Sequence, residues 1–426
     1  VVIVNPRPRG PRTLAARASV AETVAAELRA RIDDGAVRHV TLLVPDPHAR
    51  FAAVELGARF FADTVLAEGY GLCTYAFAWN PERVAVVAPV FEPYTSTYGD
   101  LRIRPDLCSV LPDGADGVLV VCDAEDIEFA PRTVLRRQVS LAESMGFVPS
   151  AGIEHEVTFT TPEGEPLVSD GLDYAAGGLN PLRPLLTAVR SAVDPLGVES
   201  LRGECHPGQY EVVLGHRDAL AACDDAMLQQ LLVRRVAAEH GVRAGYLAAE
   251  RPGAGSSCHV HISLSSSDGF PLTHFVAGVL RAAPDLTPFW APTWNSYVRL
   301  RTSAFSPRVV RWGVDDRTAS VRVAGTGAST RAEVRFAGAD AQPHLVVAAI
   351  LAAGLWGIGE ELAPPEPGEL PVTPWAARAA LASSDLARKL LGEQVVDAQL
   401  AHLDEEITAS CDTVTDLQRR RGDLRA

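Results

Sequence analysis

Three short stretches of alternating polar and apolar residues constrain this chain more than anything else in it. Residues 255–263 read GSSCHVHIS, residues 152–159 read GIEHEVTF, and residues 331–336 read RAEVRF. If each is a strand, side chains two apart share a face, so His259 lies beside His261, Glu154 beside Glu156, and Glu333 beside Arg335. A fourth stretch, ECHPGQYEVV, places Glu204 and Glu211 around the turn Pro207-Gly208-Gln209. Each has an ordinary explanation alone: a solvated edge strand, satisfied core histidines, a surface ion-pair row, a polar hairpin. Together they bring five carboxylates and an imidazole into strands that must bury one face, and like charges so gathered need a counter-charge.

A divalent metal is the simplest one. Oxygen-rich ligation with one imidazole suits Mg²⁺ or Mn²⁺, and two ions could share the five acids. Zinc fits less well, because the adjacent pairs Cys205-His206 and Cys258-His259 rarely turn both ligands inward. Arginines supply the other half: Arg299 in NSYVRL, Arg317 and Arg322 in DDRTASVRV, and Arg331 and Arg335. The guanidinium fork matches carboxylate and phosphate, so metal ions with several arginines describe a site for phosphoryl transfer from a nucleotide. No GxxxxGK[ST] is present, which excludes a P-loop enzyme.

The chain around these stretches reads as α+β. Ser19-Val20-Ala21-Glu22 has a capping-box pattern before an alanine-rich helix reaching about Asp34. VTLLV at 40–44 is a strand, 51–68 has helical spacing, 70–90 offers short strand-like runs, and FEPYTSTYGDLRIRPD reads as a loop before the buried strand VLVVC at 118–122. Residues 1–122 form one expected domain and 123–426 a second. In the second, Pro131 opens a helix that Gly146 closes. Strands are expected at 151–160, 198–204, 209–214, 257–264, 318–324 and 331–337, mostly antiparallel. Helices are expected at 181–194, 216–240, 271–283, 343–362, 375–391 and about 395–421.

Among the 426 residues, 47% are hydrophobic, ample for a sizeable core. A net charge of −14 with no long basic run argues against nucleic acid as a partner. No apolar run approaches the ~20 residues of a membrane span. The opening VVIVNPRPRGPR is too proline-broken for a signal peptide, and seven cysteines without CxxC spacing suit a reduced compartment, so a cytoplasmic protein is expected.

The order GIEHE, ECHPGQYE, GSSCHVHIS, NSYVRL, DRTASVRV and RAEVRF…QPHL resembles that of glutamine synthetases and the related γ-glutamyl-amine ligases, over roughly residues 100–426. The resemblance implies a small β-grasp N-terminal domain, a catalytic domain with a curved antiparallel sheet flanked by helices, and homo-oligomeric rings, usually dodecamers, with sites between subunits. It implies Glu156, Glu204 and Glu211 on one metal and Glu154, His259 and Glu333 on another, two or three Mg²⁺ or Mn²⁺ in all. It places Arg299, Arg335 and Gly255 on glutamate and Glu199, His261, Ser263 and Arg331 around ATP as substrate, with Arg317 and Arg322 stabilising the transferring phosphoryl group.

The departures are as informative. Phe305, in NSYVRLRTSAFSP, stands where glutamine synthetases carry a glutamate that binds ammonium and takes its proton. YGLCTYAFAW, after Glu68-Gly69, lacks the aspartate that also binds ammonium. GELPVTPW has no adenylylation tyrosine, Ala328 replaces a lysine near ATP, and Ala254 replaces an asparagine beside Gly255. The expected activity is therefore ATP-dependent ligation of glutamate to an amine other than ammonia. Glutamine synthesis itself, a non-catalytic ring-forming relative, and a different acid substrate are the alternatives.

Overall fold

The computed structural model describes residues 12–171, 173–179 and 182–425. Helix α1 (Leu14–Asp33) starts before the expected capping box: Thr13 accepts the Ala16 N–H at 3.1 Å and Glu143 accepts the Leu14 N–H at 2.7 Å, so Ser19 lies inside the helix. Six strands follow in one sheet: β1 (His39–Pro45), β2 (Phe51–Gly57), β3 (Tyr70–Cys73), β4 (Asp100–Pro105), β5 (Leu111–Asp113) and β6 (Gly117–Asp123). Their order is β2-β1-β6-β4-β3 with β5 beside β6, and only β1 and β6 run parallel.

The helix expected over 51–68 is instead strand β2 followed by helical turns over 58–68. Asp46 decides this. Its carboxylate accepts the N–H groups of His48 and Arg50, both at 2.9 Å, and turns the chain so that residues 51–57 pair in full register with β1. Pairing overrides a local spacing that suits either element. Likewise, residues 100–105 of the expected loop form β4, and only 70–73 of the run 70–90 is a strand. The sheet is covered on both faces. Val40, Leu42 and Val44 join Val24, Leu28 and Ile32 of α1 in one core; Leu43, Leu119 and Val121 join Leu185 and Val189 in another.

Helix α2 (Pro131–Ser144) leads into the larger, curved sheet. Its strands are β7 (Val148–Thr160), β8 (Val198–Gly203), β9 (Gln209–Leu214), β10 (Cys258–Ser265), β11 (Trp312–Val314), β12 (Val321–Ala324) and β13 (Arg331–Val334). The order is β11-β12-β13-β10-β7-β9-β8, with 217–218 and 243–245 also paired to β7. All pairings are antiparallel except β11 with β12. The inward residues Ile153, Val157, Val212, Val260, Ile262 and Val334 are buried. Helices α3 (Arg183–Val193), α4 (Ala219–Glu239), α5 (Leu272–Ala282), α6 (Trp294–Thr302) and α7 (Pro343–Gly359) flank it. The two expected C-terminal helices are each split: α8 (Pro374–Ala382) and α9 (Asp385–Leu391), then α10 (Glu393–Cys411) and α11 (Asp416–Asp423). Ser384 and Thr415 restart the chain by accepting N–H bonds from Ala387 and Gln418.

Candidate active site

Strand register assembles the site. Glu211 on β9 sits between Arg202 on β8 and Glu156 on β7; Glu154 faces His259 across β7 and β10; Glu333 on β13 sits between His261 on β10 and Arg322 on β12. The two-residue period sends these side chains to one face and their neighbours His155, Val260 and Val334 into the protein interior.

The carboxylates stand in different environments. Glu156 accepts the Ser257 N–H at 2.8 Å, the Ser257 hydroxyl at 2.6 Å and the Gln209 amide at 2.8 Å. Burial still pushes its pKa up to about 7, with Glu204 adding to the rise. Glu211 is pushed up to about 9 by burial and then by Glu154, although Arg202 lies 2.8 Å away. Arg202 also bonds Glu204 at 2.8 Å. Burial would raise Glu333, but the two imidazoles, then Arg335 and Arg322, hold it below the usual range. Glu333 accepts from Arg322 at 2.8 Å and from Arg335.

The imidazoles divide the labour. Arg331 donates its Nε–H to His261 Nδ1 at 3.0 Å, which leaves the His261 proton on Nε2, 3.0 Å from Glu154. His259 is pushed down to about 4, chiefly by burial, so it is neutral at pH 7. Its Nδ1 is 3.8 Å from Glu154 and 4.0 Å from Glu333. A neutral ring among carboxylates can bind a metal without first losing a proton. Ligand atoms converge within 4.8 Å in two groups, Glu154 with Glu211 and His259, and Glu154 with His261 and Glu333. Carboxylates whose pKa is raised by burial and by one another, beside a neutral imidazole, fit a divalent cation.

Two cavities meet at Glu154. One, of about 510 Å³, is lined by Glu199, His261, Ser263 and Arg331 as well as Glu154. Ser263 is tied to Ser150 at 2.8 Å on its floor. The other, of about 360 Å³, is lined by Glu156, Glu204, Glu211, Gly255, His259, Arg299, Phe305, Arg317 and Arg335. Arg299 projects from α6, buried, donating to the Phe336 carbonyl at 2.7 Å. At Gly255 a Cβ would stand 2.6 Å from the Ser303 hydroxyl, so glycine lets the backbone there approach the chain after α6. Phe305 is 67% exposed, and its ring lies 6.3 Å from that of His206. Of the residues placed in the site from sequence, Arg322 and Glu333 line neither cavity: Arg322 is paired with both Asp315 and Glu333.

Several supporting residues gave little signal. Arg202 lies in phase with the alternation of β8, which is the one hint of its place beside the acids. Ser257 and Gln209, which orient Glu156, sit in stretches chosen for other members.

The profile of the glutamine synthetase catalytic domain matches residues 128–421. The γ-glutamylethanolamide synthetase GlnA4 of Streptomyces coelicolor is 32% identical over an alignment spanning 93% of this chain and 94% of that protein. The glutamate–isopropylamine ligase of a Pseudomonas species is 30% identical over 80% of this chain and 82% of its own. A solved GmaS/ADP complex superimposes with a TM-score of 0.81 at 24% identity, covering 92% of this chain and 98% of that one.

Proposed function

The chain belongs to the glutamine synthetase family, and from that premise we propose that it is an ATP-dependent carbon–nitrogen ligase joining the γ-carboxyl of glutamate to a small amine other than ammonia. The observation that carries the choice of amine is Phe305, an exposed ring in the wall of the cavity that holds the carboxylates. A phenyl ring gives an ammonium ion neither a negative charge nor a base for its proton, only a weak cation–π contact, whereas an alkyl substituent packs against it.

In this reading ATP occupies the cavity of His261, Ser263, Glu199 and Arg331, and glutamate the cavity of Arg299, Arg335 and Gly255. Their reacting ends meet at Glu154. Glu156, Glu204 and Glu211 would hold one divalent ion and Glu154, His259 and Glu333 another; bound there, Mg²⁺ or Mn²⁺ would neutralise and align the phosphates. An oxygen of the γ-carboxylate attacks the γ-phosphorus, the bond to ADP breaks, and γ-glutamyl phosphate forms. Arg317, exposed at the mouth, offers its charge to the phosphoryl oxygens, while Arg322 steadies Glu333. The amine nitrogen then attacks the acyl carbon, phosphate leaves, and the amine's proton passes to a carboxylate of the same cavity. Phosphorylation is needed because a carboxylate oxygen is a poor leaving group. A cytoplasmic homo-oligomer with sites between subunits, a dodecamer in the family's usual form, completes the proposal, with residues 1–122 as a β-grasp domain and 123–426 as the catalytic domain.

The test is phosphate release from ATP, with glutamate and Mg²⁺, across ammonia, hydroxylamine, ethanolamine, isopropylamine and putrescine. Turnover with a substituted monoamine well above that with ammonia is expected. Ammonia as the best acceptor would return the chain to glutamine synthesis proper, and silence with every amine would overturn the ligase reading.

A further inference from the structure

Five carboxylates line the cavity that also holds Arg299 and Phe305: Glu154, Glu156, Asp173, Glu204 and Glu211. Four of them belong to the metal sets proposed above. An acid held on a divalent ion has its charge neutralised there and keeps little for a second cation. Asp173 belongs to neither set and to neither group of converging ligand atoms. It is exposed in the cavity wall, and among the described residues it accepts no hydrogen bond and forms no ion pair.

The chain on either side of Asp173 is held against the acids. At Gly171 a Cβ would stand 2.0 Å from the Cys205 carbonyl oxygen, so the backbone there packs directly on the residue after Glu204. The Tyr174 ring lies 5.4 Å from the Arg202 guanidinium, which is itself bonded to Glu204 and Glu211, both at 2.8 Å. Tyr174 has φ +54°, a left-handed conformation that a residue with a Cβ adopts where its surroundings hold it there. Asp173 lies near enough to Cys205 that its charge joins burial, Glu204 and Glu156 in pushing that thiol up to about 11. Phe305 meets the next residue, His206, with ring centroids 6.3 Å apart. Asp173 and Phe305 therefore reach the same cavity beside adjacent residues of the Cys205-His206 turn.

Resting on the ligase reading above, we propose that Asp173 is the acid that receives the amine, accepting a charge-assisted hydrogen bond from its ammonium group. Alkylamines are cations at neutral pH, and a site that gathers divalent ions repels them. An anion outside the metal sets offsets that repulsion, and Asp173 is the one such carboxylate in the lining of this cavity. It brings from another segment of the chain the negative charge that Phe305 does not carry. Selection is then divided: Asp173 recognises the charge of the nucleophile, and the aromatic margin recognises its substituent.

The test compares isopropylamine, a cation, with hydroxylamine, which is uncharged at neutral pH, at saturating ATP, glutamate and Mg²⁺. D173N should raise the ratio of KM for isopropylamine to KM for hydroxylamine by about 5-fold, the upper range for an exposed ion pair. D173E, which keeps the charge, should hold the ratio near the parent's. Added salt should raise KM for isopropylamine in the parent and much less in D173N. An unchanged ratio in D173N, or an equal rise for both nucleophiles, would overturn the assignment; the second result would leave Asp173 with a shaping role only. Glutamate-dependent ADP formation by the parent reports on the ligase reading separately. Its absence would overturn that reading and this assignment with it, whereas its presence with an unchanged ratio would overturn this assignment alone.

Discussion

Two regions of this molecule bury several aspartates, glutamates and arginines, and they treat them in opposite ways. Between α1, α2 and α4, Arg17 bonds Asp106 at 2.6 Å and Asp218 at 2.7 Å, and Arg132 bonds Asp106 at 2.7 Å and both oxygens of Asp224 at 2.8 Å. Arg132 and Arg136 share Asp123, and His344 meets Asp224 at 2.9 Å. Burial alone would raise Asp106 and Asp224, yet the arginines hold both well below the usual carboxylate range. In the catalytic cavity the balance is reversed: Glu156 and Glu211 rise to about 7 and about 9 because burial and neighbouring carboxylates outweigh Ser257 and Arg202. The first cluster is closed and mechanical. The second is left short of positive charge, a deficit that divalent ions would fill.

The sharpest way to break the comparison is to remove one acid from each region. Glu211→Gln deletes a charge the metal-free fold does not welcome. Ligase turnover should fall by about 10³-fold, since metal-held charge stabilisation is worth several kcal/mol, while the metal-free protein should melt no lower than the parent. Asp224→Ala should do the reverse. It strands Arg132 and His344 without their shared partner, and breaking a buried pair costs roughly 3–5 kcal/mol. The melting temperature should drop sharply while kcat per folded enzyme stays near the parent's. Equal losses of stability in the two variants would erase the distinction.

Acid and alkali should also find different weak points. Asp106 and Asp224 have lowered folded-state pKa values, so their stabilisation is present above about pH 4, the unfolded aspartate range, and is lost as pH falls below it. Glu156 and Glu211 have raised values. Their protonated forms favour the fold at low pH, and that favour is lost as pH rises from about 5 through about 7 and about 9. The metal-free protein should therefore lose melting temperature between pH 6 and 9, and the gain on adding Mn²⁺ should be larger at pH 8.5 than at pH 6. A metal-induced gain that is flat with pH would count against these two acids as ligands.

The contrast between the regions also explains what the sequence disclosed. The acid and histidine pairs are legible because a strand repeats every two residues, so Glu154 with Glu156 and His259 with His261 announce a shared face within three letters. The closed network left no such mark: Arg17 finds Asp218 across 201 positions and Arg132 finds Asp224 across 92. Strand β2 was hidden because its spacing suits a helix as well, and the Asp46 turn that settles it is formed by side-chain bonds to backbone. The motif around Arg322 names no neighbour for it: which strand flanks which is a property of the sheet, and the sheet pairs Arg322 with Glu333.

The smallest effect expected concerns Phe305, and it bears on why the open region is open in this particular way. Its ring, 6.3 Å from that of His206, forms an aromatic margin on a cavity otherwise rich in charge. If that margin selects the amine by packing, Phe305→Ala should raise KM for a branched alkylamine by about 10-fold, near the ~1–3 kcal/mol available from a few methylene contacts. KM for glutamate and ATP should barely change. Phe305→Glu should act differently, restoring an anion beside the cavity and improving ammonia relative to the alkylamine. An equal rise in KM for all amines in Phe305→Ala would assign the ring to shaping the loop after α6. A selective rise would show that this aromatic margin, in a cavity otherwise rich in charge, chooses among the amines.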